Sequence, residues 1–110
     1  MIHWYRKLYM DEVVSEHPKR CKRDVMHRKP WKKSYFAITL ATNPDNLFEI
    51  METRQLFFRR YSYLDLYVVG LAVNYENAVA LLQQILLEME SKEGSFITDK
   101  YFPKNEFIDR

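Results

Sequence analysis

The sequence predicts a small α/β domain with a three-stranded, largely parallel sheet in βαβαβ order, preceded by an N-terminal amphipathic helix and a basic arm. A short phrase at residues 40–46 recurs 31 positions later, at residues 71–77. Each copy follows an apolar run of strand character and precedes apolar residues at helical spacing. A step of 31 residues suits a βαβ unit, in which a helix crosses between two parallel strands.

Apolar residues at helical spacing open the chain and predict an amphipathic helix over residues 1–14. The spaced residues are Ile2, Tyr5, Tyr9 and Val13. Residues 15–33 lack periodicity and contain two prolines, so a loop or basic arm is predicted there. A βαβαβ core over 34–102 and a tail over 103–110 complete the expected single domain.

Three runs read as strands of this core. Residues 35–42 alternate in the manner of a strand, and residues 66–73 form an unbroken apolar run typical of a central strand buried on both faces. Gly70 inside the second run marks a bulge or the close approach of a helix. Residues 95–102 predict a third strand at a sheet edge, because Asp99 and Lys100 suit solvent.

Two helices are expected between these strands. The helix after Asn74 has one broad apolar face, and Gly94 supplies its stop. The segment after Asn43 fits two structures. Pro44 followed by Asp45 suits a hairpin turn, whereas the repeat favours a helix with asparagine as its cap and proline in its first position.

Composition limits the classes of protein that fit this chain. The single cysteine, Cys21, excludes an intrachain disulfide and suits a reducing compartment. No apolar run approaches the roughly 18 residues that a membrane span needs. The expected localisation is therefore cytoplasmic, with no membrane partner.

Charge is unevenly distributed along the chain. Residues 17–33 contain eight basic residues against one acid, Asp24, although the whole chain carries only +2. Lysine and arginine neutralise phosphates, and neighbouring aromatic side chains such as Trp4, Trp31 and Tyr35 can stack on bases. Nucleic acid is therefore a possible partner, and a solvated charged linker is the alternative. The candidate contact residues are Lys19, Arg20, Lys22, Arg23, Arg28, Lys29, Trp31, Lys32 and Lys33.

A second candidate site follows from the repeated junction. Parallel strands would place both junctions at one edge of the sheet, where open α/β folds bind ligands and where helix N-termini favour anions. The side chains of this crevice are Asn43, Asn46, Asn74 and Asn77. Helix capping by asparagine alone also explains their presence.

The sequence predicts no catalytic, metal-binding or cofactor-binding residues. His17, Cys21 and His27 have a spacing that fits no standard zinc pattern. The serines lack the flanking residues of a nucleophile motif, and two glycines do not make a phosphate-binding loop.

Three phrases carry a resemblance: residues 2–9, residues 43–47, and residues 68–72 with the helix that follows. Together they resemble a group of small bacterial proteins of unknown function, which implies a compact bacterial protein and no specific activity. The predicted function is a non-enzymatic interaction or regulatory protein that self-associates as a homo-oligomer. A nucleic-acid-binding accessory protein is the alternative, and anion or small-molecule binding at the crevice comes third.

Overall fold

The computed structural model describes residues 2–26, 35–41, 46–57, 65–94 and 96–109. Within these residues, five strands form one mixed sheet, with four α-helices and two short 3-10 helices around it. The strands are β1 (Ile2–Met10), β2 (Phe36–Leu40), β3 (Phe48–Glu52), β4 (Leu66–Ala72) and β5 (Phe107–Asp109). The α-helices are α1 (Glu12–Glu16), α2 (Pro18–Met26), α3 (Tyr75–Glu93) and α4 (Thr98–Tyr101). The 3-10 helices are Thr53–Phe57 and Lys104–Glu106.

The strand order is β3-β2-β4-β1-β5, and only β1 and β4 run parallel. All other neighbours, β1 with β5, β2 with β3 and β2 with β4, are antiparallel. The prediction of a three-stranded, largely parallel sheet in βαβαβ order is therefore wrong.

Helices cover both faces of the sheet. On one face, α1 and α2 contribute Val14, Cys21 and Val25 to a buried cluster with strand residues such as Trp4 and Val68. The cluster on the other face combines α3 side chains with strand side chains and with Phe102 from the C-terminal segment. The sheet is thus the middle layer of three, which suits a small domain that must bury both faces.

Residues 2–10 form a strand, so the predicted N-terminal helix over 1–14 is wrong. Ile2 and Trp4 pack with the α1/α2 cluster, whereas Tyr5 and Tyr9 pack with the α3 cluster. Because both faces of β1 are covered, apolar side chains occur at odd and even positions, and some of them fall at helical spacing. The strand is also irregular between Trp4 and Tyr9, where its register with β4 shifts.

The first copy of the repeated phrase does not begin a helix. Residues 48–52 form β3, which pairs antiparallel with β2, and the backbone amide of Ala41 donates to the carbonyl of Leu47 at 3.2 Å. The hairpin alternative was therefore the correct one, although Asn43, Pro44 and Asp45 lie outside the described residues. The repeat favoured the helix, and strand pairing across the sheet overturned that prediction.

The C-terminal predictions also need correction. Residues 98–101, placed in a strand by their alternation, form α4, and part of the predicted tail forms β5 beside β1. Phe102 is completely buried among the rings of Tyr5, Phe48 and Tyr101. This aromatic packing holds residues 96–109 against the sheet.

Several elements are as predicted. The strands over 36–40 and 66–72 lie within their predicted ranges, and β4 is central with its residues largely buried. The side chain of Asn74 caps α3 by accepting from the amide of Asn77 at 2.8 Å, and Gly94 ends α3 with φ 67°. The register between β2 and β4 shifts near Gly70, in agreement with the predicted bulge, and the nearest side chain to Gly70 is Ile38 of β2.

Candidate nucleic-acid interface

Residues 15–33 were predicted to be a loop or basic arm, but Pro18–Met26 form a regular amphipathic helix, α2, so the prediction is wrong over that part. Its two buried side chains, Cys21 and Val25, lie four residues apart and face the sheet. The three exposed residues of α2 are all cations: Lys19, Arg20 and Arg23. Residues three or four apart are neighbours on a helix, so these cations form one surface, which we call the basic face.

Asp24, the single acid of α2, is turned toward the domain. Its carboxylate is half-buried and accepts a hydrogen bond from the hydroxyl of Tyr35 at 3.3 Å. Burial raises the pKa of Tyr35, and hydrogen bonds with Cys21 and Asp24 raise it further, so the hydroxyl remains a donor. The acid therefore has a structural partner inside the domain, and the outward surface of α2 is purely cationic.

Lys22 is separate from the basic face. Its ammonium lies 5.2 Å from the centroid of the Trp4 ring, which is completely buried under α2. A cation over an indole is held by the ring's electrostatic field, and the lysine stem covers apolar surface. Lys22 thus helps to pack α2 onto β1.

The cations at the start of α2 oppose its helix dipole, whereas Arg23 in the last turn complements it. Lys19 and Arg20 stand in the first turn, where no acid is present, whereas α1 and α3 begin with Glu12 and Glu76. Cations near a helix N-terminus oppose the positive end of the dipole, and anions there are favoured. Lys19 and Arg20 are therefore not explained by the local stability of α2.

The remaining predicted contact residues, Arg28, Lys29, Trp31, Lys32 and Lys33, lie outside the described residues. The predicted aromatic partners Trp4 and Tyr35 are present but are 0% and 2% exposed. The structure thus groups three of the nine predicted contact residues on one exposed surface. Sequence reasoning missed the roles of Asp24 and Lys22, because both depend on aromatic residues distant in sequence.

Among the described residues, the asparagines that were predicted to line one crevice lie at opposite ends of the sheet. Asn74 and Asn77 lie at the C-terminal end of β4, beside the end of the parallel strand β1. Asn46 is exposed and precedes β3, so it lies at the opposite end of the sheet, because β2 runs antiparallel to β4. Asn43 is outside the described residues.

The negatively charged group at this end of the sheet is the side-chain carboxylate of Asp11. One carboxylate oxygen accepts from the amide of Val14 at 2.8 Å and caps α1. The other accepts from the amide of Val73 at 3.0 Å and from the side-chain amide of Asn77 at 2.9 Å. The side-chain amide of Asn77, which we expected to face an external anion, thus holds a carboxylate of the chain itself.

A cluster of tyrosines and a carboxylate lies on the other face of the sheet. The Tyr9 hydroxyl donates to Glu88 at 2.7 Å and lies 3.1 Å from the Tyr101 hydroxyl. Burial and these bonds raise the pKa of Tyr9, whereas the bond from Tyr9 lowers the pKa of Glu88. The phenol is therefore kept protonated, which suits an anchoring role better than that of a catalytic base.

In the part of the chain that the structure describes, no group of three or more potential ligands is placed to hold a metal ion. No helix there has the length and apolar character needed to cross a membrane. The basic face is thus the candidate site with the most distinctive chemistry. Comparison of the chain with protein-family models, with curated proteins and with solved structures finds no match.

Proposed function

We propose that this chain is a non-enzymatic accessory protein that binds nucleic acid through the basic face of α2. One observation carries the proposal. Lys19, Arg20 and Arg23 are exposed together on one helix, while the single acid of that helix, Asp24, is bonded inward to Tyr35. A clustered surface of lysine and arginine is the electrostatic footprint expected of a nucleic-acid binder.

Two further features support this proposal. The basic face is held on a folded helix, since Cys21 and Val25 anchor α2 to the sheet. The helix backbone that carries the cations is therefore ordered before binding, and only their side chains must be ordered on binding. The sequence around α2 continues the same charge, with eight basic residues and one acid across positions 17–33.

The experiment measures binding of a fluorescein-labelled, mixed-sequence 20-base-pair duplex by fluorescence anisotropy at low salt. The test variant is Lys19→Ala/Arg20→Ala/Arg23→Ala. The matched control is Lys7→Ala/Lys92→Ala/Lys100→Ala, which removes the same charge from exposed lysines in β1, α3 and α4. Circular dichroism checks that both variants remain folded.

We expect the α2 variant to lose at least tenfold in affinity and the control to lose less than threefold. Equal losses in both variants would show a response to net charge alone and would refute the proposal. So would wild-type binding by the α2 variant. Binding to phosphatidylserine vesicles without any binding to nucleic acid would also refute it and would indicate a membrane surface as partner.

Self-association is the second candidate function. Among the described strands, β3 pairs only with β2, so it lies at one end of the strand order. Leu47, immediately before it, is 44% exposed. Edge strands of this kind can pair with another chain, and exposed leucine beside the edge favours such a contact. Sedimentation velocity at about 10 and about 300 µM tests self-association. A monomer at both concentrations would contradict it.

A further inference from the structure

We infer that the basic face contacts the phosphodiester backbone and reads no base sequence. This inference rests on the proposed function and specifies the chemistry of its ligand. The exposed residues of α2 are a lysine and two arginines, with no exposed aromatic or amide side chain among them. The groups on this face are therefore all suited to phosphate oxygens.

No side chain of the basic face carries an aromatic ring on which a base could stack. Proteins that bind single strands through their bases expose aromatic side chains as stacking platforms. Trp4 lies beneath Lys22, and Tyr35 is bonded to Asp24 inside the domain. Among the described residues, the two aromatic rings that pack in the cluster with α2 are thus both part of the core.

The dimensions of the basic face match a short stretch of backbone. Lys19 and Arg23 are four residues apart, which separates them by about 6 Å along the helix axis. One strand of a duplex carries a charge about every 3.4 Å of axis. The three cations therefore suit two or three successive phosphates, and Lys22 is not among them because it is held over Trp4.

This arrangement predicts the salt dependence of binding. Each neutralised phosphate contributes about −0.9 to the slope of log affinity against log salt for duplex DNA. Removing the three cations of the basic face should therefore make the slope shallower by about 1.8–2.7. The single variant Lys19→Ala should change it by about 0.9, whereas Lys22→Ala should leave it unchanged.

The decisive comparison uses Arg20→Lys/Arg23→Lys with A·T-rich and G·C-rich duplexes of equal length. Lysine keeps the charge that binds phosphate but lacks the planar fork of arginine, so its contact with guanine is less directional. We expect the wild type and this variant to bind both duplexes with affinities within about threefold of each other.

A tenfold preference of the wild type for one duplex, lost in the lysine variant, would overturn the inference and leave the proposed function intact. An unchanged salt slope in Lys19→Ala, or a slope reduced equally by Lys22→Ala, would also overturn it. Failure of the wild type to bind any nucleic acid would instead refute the proposed function itself, so the two failures are distinguishable.

Discussion

The carboxylate of Asp11 accepts a hydrogen bond from the backbone amide of Val73, with 3.0 Å between oxygen and nitrogen. This bond joins the end of β1 to the end of β4. The same side chain caps α1 through Val14 and holds Asn77 of α3. One residue thus ties two parallel strands and the helices that follow them.

Replacement of Asp11 should therefore cost more than the loss of one helix cap. We expect Asp11→Ala to lower the free energy of unfolding by about 2–4 kcal/mol, because it removes a cap and leaves the Val73 amide without its acceptor. Asn74→Ala, which removes a cap alone, should cost about 1 kcal/mol. Urea denaturation measures both, and equal losses would contradict the assignment of Asp11 as a joint between strands.

Gly70 and Ile38 should be energetically coupled across β4 and β2. A Cβ added at Gly70 would lie 3.0 Å from Cδ1 of Ile38. We expect Gly70→Ala to destabilise the fold by about 1–3 kcal/mol. In an Ile38→Val background, which lacks that methyl group, the cost should fall below about 1 kcal/mol. A double-mutant cycle tests this, and the same cost in both backgrounds would show that the contact is unimportant.

Two buried threonines should respond in opposite ways to valine. The hydroxyl of Thr39 is completely buried and has no hydrogen-bond partner within the described ranges. Thr39→Val should therefore be neutral or should stabilise the fold by about 1 kcal/mol. The hydroxyl of Thr53 accepts from the backbone amide of Tyr35 at 3.2 Å, so Thr53→Val should cost about 1–3 kcal/mol. Thermal unfolding of both variants provides the comparison. Destabilisation by Thr39→Val would contradict the finding that the Thr39 hydroxyl lacks a hydrogen-bond partner within the described ranges.

Acid should weaken the fold in part through Glu88. The hydrogen bond from Tyr9, followed by that from Gln84, lowers the pKa of Glu88 below its ordinary value near 4.5. Because the folded pKa is the lower one, the unfolded chain takes up this proton first as pH falls. The stabilising contribution is therefore complete above about pH 4.5 and is lost as pH falls through the folded pKa.

Glu88→Gln should remove this part of the acid dependence. We expect the loss in free energy of unfolding between about pH 6 and pH 3 to be smaller in Glu88→Gln than in the wild type. Glu90→Gln, an exposed position on the same helix, is the matched control and should follow the wild type. Identical pH profiles for all three proteins would mean that the Tyr9–Glu88 bond contributes nothing.

The elements that were predicted correctly are those whose signals are local. Helix α3 combines one apolar face with Asn74 at its start and Gly94 at its end, and all three signals lie within it or next to it. Strand β4 is apolar throughout because it is central, and its neighbours do not alter that pattern. Local sequence sufficed for both.

The elements that were predicted wrongly depend on distant partners. In β1, coverage of both sheet faces spreads apolar residues over a spacing that a helix also fits, and its partner β4 lies far along the chain. For β3, the chemistry around Asn43 suits a cap or a turn, and pairing with β2 decides between them. The same holds for the candidate site. The charge of the sequence was enough to identify the cations, but only the packing shows that Lys22 lies over the Trp4 ring and not on the basic face.

The pairing of Ile2 with Leu66 also bears on the order of events during synthesis. At about 5–20 residues per second, β1 leaves the ribosome roughly 3–13 s before its parallel partner exists. During that interval Trp4, which ends completely buried, has no sheet to enter. We therefore expect the nascent chain to carry an unpaired strand with an exposed tryptophan for seconds, and to need protection from aggregation until β4 is complete at residue 72.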